Sequence, residues 1–598
     1  MSDALPATTV ITRADIEDSH ASDLATLLRG QVGIDVAQSG GTGSQTSLFM
    51  RGANSNQVLV LIDGLRVNAV GSGAASIAHL MIDQIDHVEI VRGNVSSLYG
   101  SEAIGGVIQI FTRGGTSSGD SSSERSRIGL NAEWGGDRTR AGSFDATRAF
   151  GANDARTRIG LATSYRSAKG FSAIDADRVP AANPDDDGYR NASVSAQVAQ
   201  QIGPHEIGIR YFETHGHLEF DDPTDYSFFG PPYDGRMQTH NERTRLTDAA
   251  LYGKFKPTAF WTLDLQAGQA RDVSVNTSSY PASFVVGTAT STDRQYRIGN
   301  SFAFADHTVM LAYEHLDQSG FSTSYGSGLD GAAFSRKVDS AMAGYTGPLF
   351  LTSAVNEFQF NARHDRYSDF GDATTGLAAY GLKFAPGWKA IVQASTAFKA
   401  PSFNELYFPF FGNPALKPER ARSIEAALQY AREASYVRAS LFRTRTRDLI
   451  VFDPLLLLAN NVDRARVTGV ELSARTIVDG WTLSANVTLQ RPIDEATGER
   501  LLRRASRNLG FAIAKSFGRW RVSADAQAAG MRFDSDITTF TRTELAGYGV
   551  ANFGVRYEVV RATTVGLSVT NAFDKRYALV DGYNTAGRVV TVSLGVRY

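Results

Sequence analysis

From about Arg127 to the C-terminus, the chain repeats short segments in which apolar and polar residues alternate, separated by turns rich in Gly, Asn and Asp. The final segment shows the pattern most clearly. Its apolar face carries Val590, Val592, Leu594, Val596 and Tyr598. A period of two residues with one apolar face predicts a half-buried β-strand. In a soluble sandwich that face would meet a second sheet, whereas in an outer-membrane barrel it meets lipid and the polar face lines the lumen.

Two further features favour the barrel. No amphipathic helix interrupts the region, and strands end in aromatic residues such as Tyr557, Tyr577 and Tyr598, where a girdle at the membrane interface would lie. The longest apolar runs, Val58–Ile62 and Leu455–Leu458, are far too short for a membrane helix. At about 20 residues per strand and connection, the region predicts a transmembrane β-barrel of about 22 antiparallel strands, whose wide lumen must be plugged.

The N-terminal region supplies the plug. Met50–Asn68 and Arg92–Gly115 each join an Arg-Gly pair to a Gly-rich turn and an apolar run. These runs predict strands, and short helices are predicted near Arg13 and from a cap at Ser22. The region is therefore predicted to be a small α+β domain.

A low-complexity tract, GGTSSGDSSSERS, separates the two regions. Its Gly and Ser content is typical of a linker. Residues 1–115 are therefore predicted to form the plug domain, residues 116–126 a linker and residues 127–598 the barrel domain.

The composition excludes several classes of function. The 598 residues include no cysteine, which rules out disulfides, thiolate metal sites and cysteine nucleophiles. A net charge of −2 argues against a nucleic-acid-binding protein. His215 and His217 would share one strand face without a third nitrogen ligand, and no hydrolase, metalloprotease or dinucleotide-binding motif occurs. We therefore expect that the protein is not an enzyme.

Motifs in both domains resemble those of one family. RGNVSSLYGSEAIGGVIQIFTRGG at Arg92–Gly115 and LFMRGANSNQVLVLIDGLRVN at Leu48–Asn68 resemble the plug signature of TonB-dependent outer-membrane receptors. Ala394–Glu425, Asn461–Leu472 and Val569–Arg588 are similar to barrel motifs of the same family. The resemblance implies a receptor of the bacterial outer membrane that takes up its ligand with energy from the inner membrane.

Within this family the chain most resembles the vitamin B12 (cobalamin) receptors. The resemblance rests on LPATTVITRADIE from Leu5, SGGTGSQTSLFMRGANSNQVLVLIDG from Ser39, LLRRA from Leu501 and NAFDKRY from Asn571. It implies TonB-dependent uptake of cobalamin. Siderophore receptors share parts of these motifs, so uptake of a ferric siderophore or another metal chelate is the alternative. A passive porin or an adhesin does not account for the plug.

The resemblance also implies the partners. They are the cobalamin ligand, the TonB energy-coupling complex of the inner membrane, outer-membrane lipid and the barrel-assembly machinery, which would recognise the strand ending at Tyr598; the receptor is expected to be a monomer that binds no nucleic acid. Neither a signal peptide nor the energy-coupling box of the family stands at Met1–Ala4. We therefore expect a processed or trimmed chain that can bind ligand.

The resemblance places cobalamin contacts on two apical turns of the plug and at one barrel position. The plug residues are Gln45, Ser47, Asn54, Ser72 and Gly73, and the barrel residue is Arg503. The alternatives are that the plug residues are solvated turn residues and that Arg503 faces the lumen and supports the plug.

Acidic residues recur in three segments, in NPDDDGY at Asn183–Tyr189, in FDD at Phe220–Asp222 and in YDG at Tyr233–Gly235. If neighbouring strands bring these segments together, the carboxylates need a cation, and oxygen ligands without His or Cys indicate calcium. The cobalamin receptors carry such a site, which corresponds here to Asn183, Asp185, Asp187, Asp221 or Asp222, and Asp234. Where the family has an Asp, this chain has Ser172, and Asp175 is a candidate substitute. The alternative is a solvated acidic loop.

Arg51 and Arg92 stand in the two Arg-Gly pairs. Guanidinium groups inside a large barrel must pair with carboxylates. We therefore predict that both arginines anchor the plug to the barrel, with Glu102, Glu425 and Glu471 as available partners.

Overall fold

The computed structural model describes residues 5–114, 126–151, 154–180, 182–222, 238–280, 283–325, 329–348, 356–409, 411–453 and 458–598. Within these ranges, none of the helices combines the length and the apolar character that a membrane crossing requires.

Within residues 5–114, the N-terminal domain contains seven strands and three short α-helices. The strands are β1 (Ala7–Ile11), β2 (Ile34–Gln38), β3 (Thr46–Met50), β4 (Val58–Ile62), β5 (Leu65–Arg66), β6 (Ile85–Arg92) and β7 (Gly106–Thr112). The helices are α1 (Arg13–Asp18), α2 (Leu24–Arg29) and α3 (Ser96–Tyr99), and three 3-10 turns lie at Ser55–Gln57, Ile77–His79 and Ile82–Gln84. Five strands form a mixed sheet in the order β1-β6-β7-β4-β5, while β2 and β3 form a separate hairpin.

The first two helices begin at side-chain caps. Thr12 and Asp15 form a reciprocal capping box at the start of α1, as the predicted helix near Arg13 requires. Helix α2 is capped by Asp23, whose carboxylate accepts from the amide of Thr26 at 2.8 Å. The prediction of a cap at Ser22 was therefore wrong by one residue, because the carboxylate of Asp23 is the acceptor that reaches the free amide of the first turn.

Twenty-two strands form a closed antiparallel barrel. They are β8 (Arg127–Gly135), β9 (Arg140–Phe150), β10 (Thr157–Ala168), β11 (Tyr189–Ile202), β12 (His205–Phe220), β13 (Thr239–Thr258), β14 (Trp261–Tyr280), β15 (Ser283–Phe304), β16 (His307–Tyr325), β17 (Leu329–Gly347), β18 (Asn356–Tyr367), β19 (Gly371–Ala385), β20 (Trp388–Lys399), β21 (Glu419–Arg432), β22 (Ser435–Asp453), β23 (Leu458–Val478), β24 (Trp481–Asp494), β25 (Arg507–Phe517), β26 (Trp520–Ala529), and, after the small hairpin β27 (Arg532–Ser535) and β28 (Arg542–Leu545), β29 (Tyr548–Val560), β30 (Thr563–Thr570) and β31 (Val589–Arg597). Strand β31 pairs with β8 and closes the cylinder. The predicted fold, a barrel of 22 strands plugged by an N-terminal α+β domain, is confirmed.

The two ends of the barrel differ in their connections. At one end, here the turn end, neighbouring strands are joined by tight turns such as residues 386–387 and 433–434. The other end, here the loop end, has the longest connections, such as residues 571–588 between β30 and β31 and residues 400–418 between β20 and β21, which contain helix α4 (Phe403–Tyr407). Short turns on one side and long loops on the other are typical of outer-membrane barrels.

The predicted alternation places apolar side chains on the outside. Val590 and Leu594 are 47% and 41% exposed, and Tyr598 is 75% exposed. Tyr557 packs against Trp520 near the turn end, where an interfacial girdle lies. Tyr577, the third aromatic predicted for the girdle, instead turns inward, where its hydroxyl accepts from Arg29 of the plug at 3.1 Å.

The plug packs directly against the barrel wall. One hydrophobic cluster joins the plug helices and sheet to Phe212 and Leu246 of the barrel, and a second joins Leu59 and Val107 of the plug to Ile391. The plug core therefore continues into the wall of the lumen.

Candidate functional site

Two plug arginines are tied to the barrel wall by buried carboxylates. Arg51 follows β3, and its guanidinium donates to both oxygens of Glu471 on β23, at 2.9 and 2.7 Å. It also donates to Glu425 on β21 at 2.7 Å. Arg92 lies 3.4 Å from Glu471, and Arg438 on β22 lies 3.1 Å from the second oxygen of Glu425. None of the five side chains is more than 4% exposed, and Arg51 and Arg92 are the anchors that the sequence predicted.

The third acid predicted as a possible partner of the anchors forms its ion pair within the plug. Glu102 pairs with Arg66 on β5 and makes none of the ion pairs to the barrel that the structure describes. Arg66 also donates to the carbonyl of Ser101 at 2.9 Å. This ion pair therefore holds the segment that follows α3 against the plug sheet.

The first apical turn of the plug lies at the loop end, between β2 and β4. Gln45 is exposed and Ser47 is half-buried on β3, so both are within reach of a ligand that enters from this end. Asn54 is already engaged, because its side-chain oxygen accepts from the guanidinium of Arg504. Arg504 also donates to the carbonyl of Gly52 at 3.3 Å.

The second apical turn contains Ser72 and Gly73. Ser72 is exposed, whereas Gly73 is buried and has a φ of +76°. A Cβ at Gly73 would lie 3.2 Å from the Cβ of Asn56, so a larger residue there would be strained by both its backbone and its surroundings. Ser72 is therefore the member of this pair that presents a side chain to the loop end.

Helix α4 of the barrel holds this second turn in place. The amide of Phe403 donates to the carbonyl of Val70 at 3.2 Å, and the amide of Asn404 donates to the carbonyl of Gly71 at 2.8 Å. Ser402 caps the helix. The first amides of a helix have no partner within the helix, and here the plug supplies two acceptors. The plug turn and the barrel loop are consequently one hydrogen-bonded unit.

The barrel candidate Arg503 does not touch the plug in the described contacts. Its Nε donates to the buried carboxylate of Asp534 at 2.7 Å, and its φ is +63°. The positive φ turns the next residue, Arg504, toward the plug, where its guanidinium lies 4.2 Å from the ring centre of Phe49. The plug-supporting arginine is thus Arg504, the neighbour of the predicted Arg503 in LLRRA.

Three acidic residues of the predicted calcium set come together at the loop end. Asp185, Asp187 and Asp221 each bring one carboxylate oxygen to within 4.8 Å of the others. The pairing of β11 with β12 causes this, because Asp185 and Asp187 precede β11 and Asp221 follows β12. Across the described ranges, no lysine or arginine pairs with any of the three, and Lys169 pairs with Asp186 instead.

The electrostatics of these three residues fit a bound cation. Burial, followed by repulsion from Asp221, raises the pKa of Asp187. Burial, followed by the charge of Asp185, raises the pKa of Asp221, and burial also raises the pKa of Asp185. Converging carboxylates without a cationic side chain favour protonation, and a hard divalent ion such as calcium would remove that penalty.

The other predicted calcium ligands lie in different situations. The amide of Asn183 donates to the carbonyl of Gln238 at 3.1 Å. Asp222 and Asp175 are described but do not belong to the three-carboxylate group. Asp234 lies outside the described residues.

If calcium binds at the three carboxylates, it should stabilise these loops more strongly at about pH 8 than at about pH 5.5, where protonation competes with it. A raised carboxylate pKa means that, without a cation, stability is lost as pH rises through the folded-state pKa, and calcium restores it. Thermal unfolding and amide exchange of residues 182–222 with and without calcium would measure the effect.

Asp187→Asn should abolish the calcium response, whereas Asp177→Asn, at an exposed acid of the neighbouring segment, should leave it intact. An equal calcium response in both variants would contradict the assignment.

A cavity of about 630 Å³ lies between the plug and the barrel where the last strands meet the first. Its lining reaches from the turn end to the loop end. It includes Arg13, Glu17 and Arg597 at the turn end and Gly41, Phe171 and Asp187 at the loop end. Of the three clustered acids, Asp187 therefore borders the space that separates the plug from the wall.

Two sequence families match the chain, one in each domain. Residues 1–107 match the TonB-dependent receptor plug domain, and residues 206–572 match the TonB-dependent receptor-like β-barrel. The second match alone spans more than half of the 598 residues.

Solved structures share the whole architecture. The ferric-catecholate import receptor Fiu of E. coli is 16% identical, with a TM-score of 0.81 over 100% of this chain and 98% of that one. The ferric enterobactin receptor PfeA of Pseudomonas aeruginosa is 17% identical, with a TM-score of 0.80 over 100% of both chains. The ferric yersiniabactin uptake receptor FyuA of Yersinia pestis is 16% identical, with a TM-score of 0.79 over 99% of this chain and 98% of that one. At these identities the likeness establishes the fold.

Proposed function

This chain belongs to the TonB-dependent receptor family of the bacterial outer membrane, and from that premise we propose that it takes up a large metal chelate. The loop end then faces the exterior and the turn end faces the periplasm. Receptors of this family are transporters that draw on the TonB complex.

The closed lumen is the observation that carries the proposal. A barrel of 22 strands without a plug would be a wide pore. Here the buried network of five side chains that includes Arg51 fixes a folded domain across the lumen. A ligand can dock on the exposed apical residues at the loop end, yet it can pass only after work displaces part of the plug. This arrangement suits a scarce ligand that must be captured tightly and then released inward.

A ferric siderophore is the first candidate ligand. The three solved receptors described above are named for ferric catecholates, ferric enterobactin and ferric yersiniabactin. Their fold matches this chain along its full length. Their similarity supports the ligand class only through the shared fold, so the proposal stays at the level of an iron chelate.

Vitamin B12 is the second candidate. It is favoured by the resemblance of the LLRRA and NAFDKRY motifs, and by the acidic group of Asp185, Asp187 and Asp221, at positions where that resemblance implies a calcium site. Exposed Gln45 and Ser72 could donate and accept hydrogen bonds at the amide-bearing rim of a corrin.

One titration separates the candidates. Detergent-purified protein would be titrated calorimetrically with ferric enterobactin, ferric yersiniabactin and cyanocobalamin, each with calcium and with a chelator that binds calcium but does not strip iron. We expect one ligand to bind with a Kd of about 1 µM or below. Tight binding of cyanocobalamin that weakens on calcium removal would select vitamin B12, and tight binding of either iron chelate would select a siderophore. Absence of binding by all three would overturn the proposed ligand class.

A further inference from the structure

One sector of the outer barrel surface carries an unusual density of positive charge near the loop end. Strands β21 to β25 present eight arginines there, here called the arginine band: Arg420, Arg422, Arg443, Arg445, Arg447, Arg466, Arg491 and Arg507. They alternate with inward side chains and follow the same strand face as Ile424 and Leu441, which are 61% and 60% exposed. The band therefore faces the membrane side of the barrel.

The strand register brings these arginines next to one another. Arg422 lies opposite Arg445, Arg445 lies opposite Arg466, and Arg420 lies opposite Arg447. Like charges directly opposite one another in a sheet are destabilising. Anionic groups placed beside these arginines would therefore stabilise the sheet.

The chain supplies few of these anions. Glu495 lies 3.5 Å from Arg445 and 3.4 Å from Arg466, and Arg447 lies 3.7 Å from Asp448. Within the described ranges, none of the ion pairs involves the other five arginines of the band: Arg420, Arg422, Arg443, Arg491 and Arg507.

Some basic residues on the remaining outer surface lie beside acids of neighbouring strands. Arg245 lies 2.8 Å from Glu213, and His315 lies 2.8 Å from Asp339. The feature that sets the β21 to β25 sector apart is that its arginines lie directly opposite one another on neighbouring strands.

An apolar groove of about 1130 Å³ lies directly below the band on the same outer surface. Its floor is formed by Val392, Ile424, Leu441, Val470 and Leu489, and every lining residue belongs to the barrel. Arg443, Arg491 and Arg507 stand at its edge. Cationic groups therefore border a concave hydrocarbon-facing surface.

We propose that the arginine band and this groove bind a phosphate-bearing lipid of the outer leaflet, with phosphates on the guanidinium groups and acyl chains in the groove. Guanidinium groups match phosphate oxygens in bidentate geometry, and each basic residue near an anionic lipid surface contributes to its attraction. A soluble anion would contact only the arginine band, whereas a lipid contacts both the band and the apolar groove. The loop end faces the leaflet in which bis-phosphorylated glycolipids reside, so the lipid A portion of such a glycolipid is the committed occupant.

The test measures the binding of lipid A to the full chain in detergent micelles. Native mass spectrometry and fluorescence titration would both be used to quantify this binding. A triple variant, Arg422→Ala with Arg443→Ala and Arg491→Ala, should weaken binding between about tenfold and one-hundredfold, since three phosphate-facing charges are lost. Lipid A without its phosphates should bind the natural sequence as weakly as intact lipid A binds the variant.

A matched control removes three exposed outward arginines from other strands: Arg271→Ala, Arg294→Ala and Arg366→Ala. This variant should bind lipid A like the natural sequence, and heat-modified migration on gels should verify that both barrels are folded. Equal loss in both triple variants, unchanged binding in the first, or full displacement of the lipid by inorganic phosphate would overturn the proposal. The measurement does not involve the transported ligand, so its outcome is independent of the proposed function.

Discussion

Arg51→Ala is expected to loosen the plug by about 3–5 kcal/mol, because two buried glutamates lose their shared cation while remaining buried. Among the ion pairs of the described residues, Glu471 would keep Arg92, 3.4 Å away, and Glu425 would keep Arg438, 3.1 Å away. The side chain also stacks on Phe442, with 4.5 Å between guanidinium carbon and ring centre, so packing is lost together with charge. The barrel strands themselves should remain paired.

Amide hydrogen exchange of the purified protein would measure this effect by comparing the plug strands β2 to β4 with the barrel strands. Exchange should accelerate in the plug alone, and planar-bilayer recordings should show more frequent openings of the lumen. Arg475→Ala is the control, because Arg475 also joins plug to barrel, 2.6 Å from Asp15, but is 39% exposed. It should cost no more than about 1 kcal/mol. Equal effects of the two variants would contradict a special role for the buried network.

The barrel could be predicted from the sequence because its signal is repeated along the chain. The alternation of Val590, Val592 and Leu594 with polar residues fixes which side faces lipid, and a one-residue slip would reverse every side chain. The number of strands followed from length alone, since each strand and its connection consume a nearly constant stretch of chain. Tyr577 escaped this reasoning because it lies between strands, where period two does not apply.

The anchors could be predicted only in part. Arg51 and Arg92 were recognisable because a guanidinium in a closed lumen needs a carboxylate. Glu425 and Glu471 were among the available partners, but the sequence did not show which pairs form, because Glu471 reaches the arginines through the register of β23 with its neighbours, a property of the closed barrel. Gly33 illustrates this dependence, since a Cβ there would lie 2.4 Å from the Glu471 carboxylate. Such a contact joins positions that are far apart in sequence.

The ligand site was the least predictable part. Arg503 and Arg504 are chemically alike, and only the positive φ of Arg503 decides which one turns toward the plug. Asp185, Asp187 and Asp221 came together because β11 and β12 form a hairpin, which local periodicity predicts well. Which chelate the apical turns recognise depends on the shape of loops, and the patterns of strands and helices carry no information about it.

Lys399→Met is expected to release the second apical turn from the barrel. Lys399 is fully buried at the loop end of β20, where its ammonium lies 2.8 Å from Glu405 and 3.7 Å from Glu419. Glu405 in turn accepts from the amide of Ser402 at 2.7 Å and so helps to cap α4. Without the lysine, two acids remain in a buried site, which costs about 3–5 kcal/mol. Helix α4 should fray, and with it the hydrogen bonds that fix the turn containing Ser72.

The chain supplies a matched control for Lys399→Met on the same strand. Lys389 is also buried and lies 2.8 Å from Glu357, but it stands at the turn end, far from α4. Both substitutions remove one buried lysine from a lysine–glutamate pair, so both should lower thermal stability. Only Lys399→Met should accelerate amide exchange in residues 69–74 and weaken whichever chelate binds, by roughly ten- to one-hundredfold, since re-ordering each freed residue costs about 1–2 kcal/mol. If Lys389→Met weakened the ligand equally, the loss would follow from general destabilisation, and α4 would not be the element that presents the apical turn.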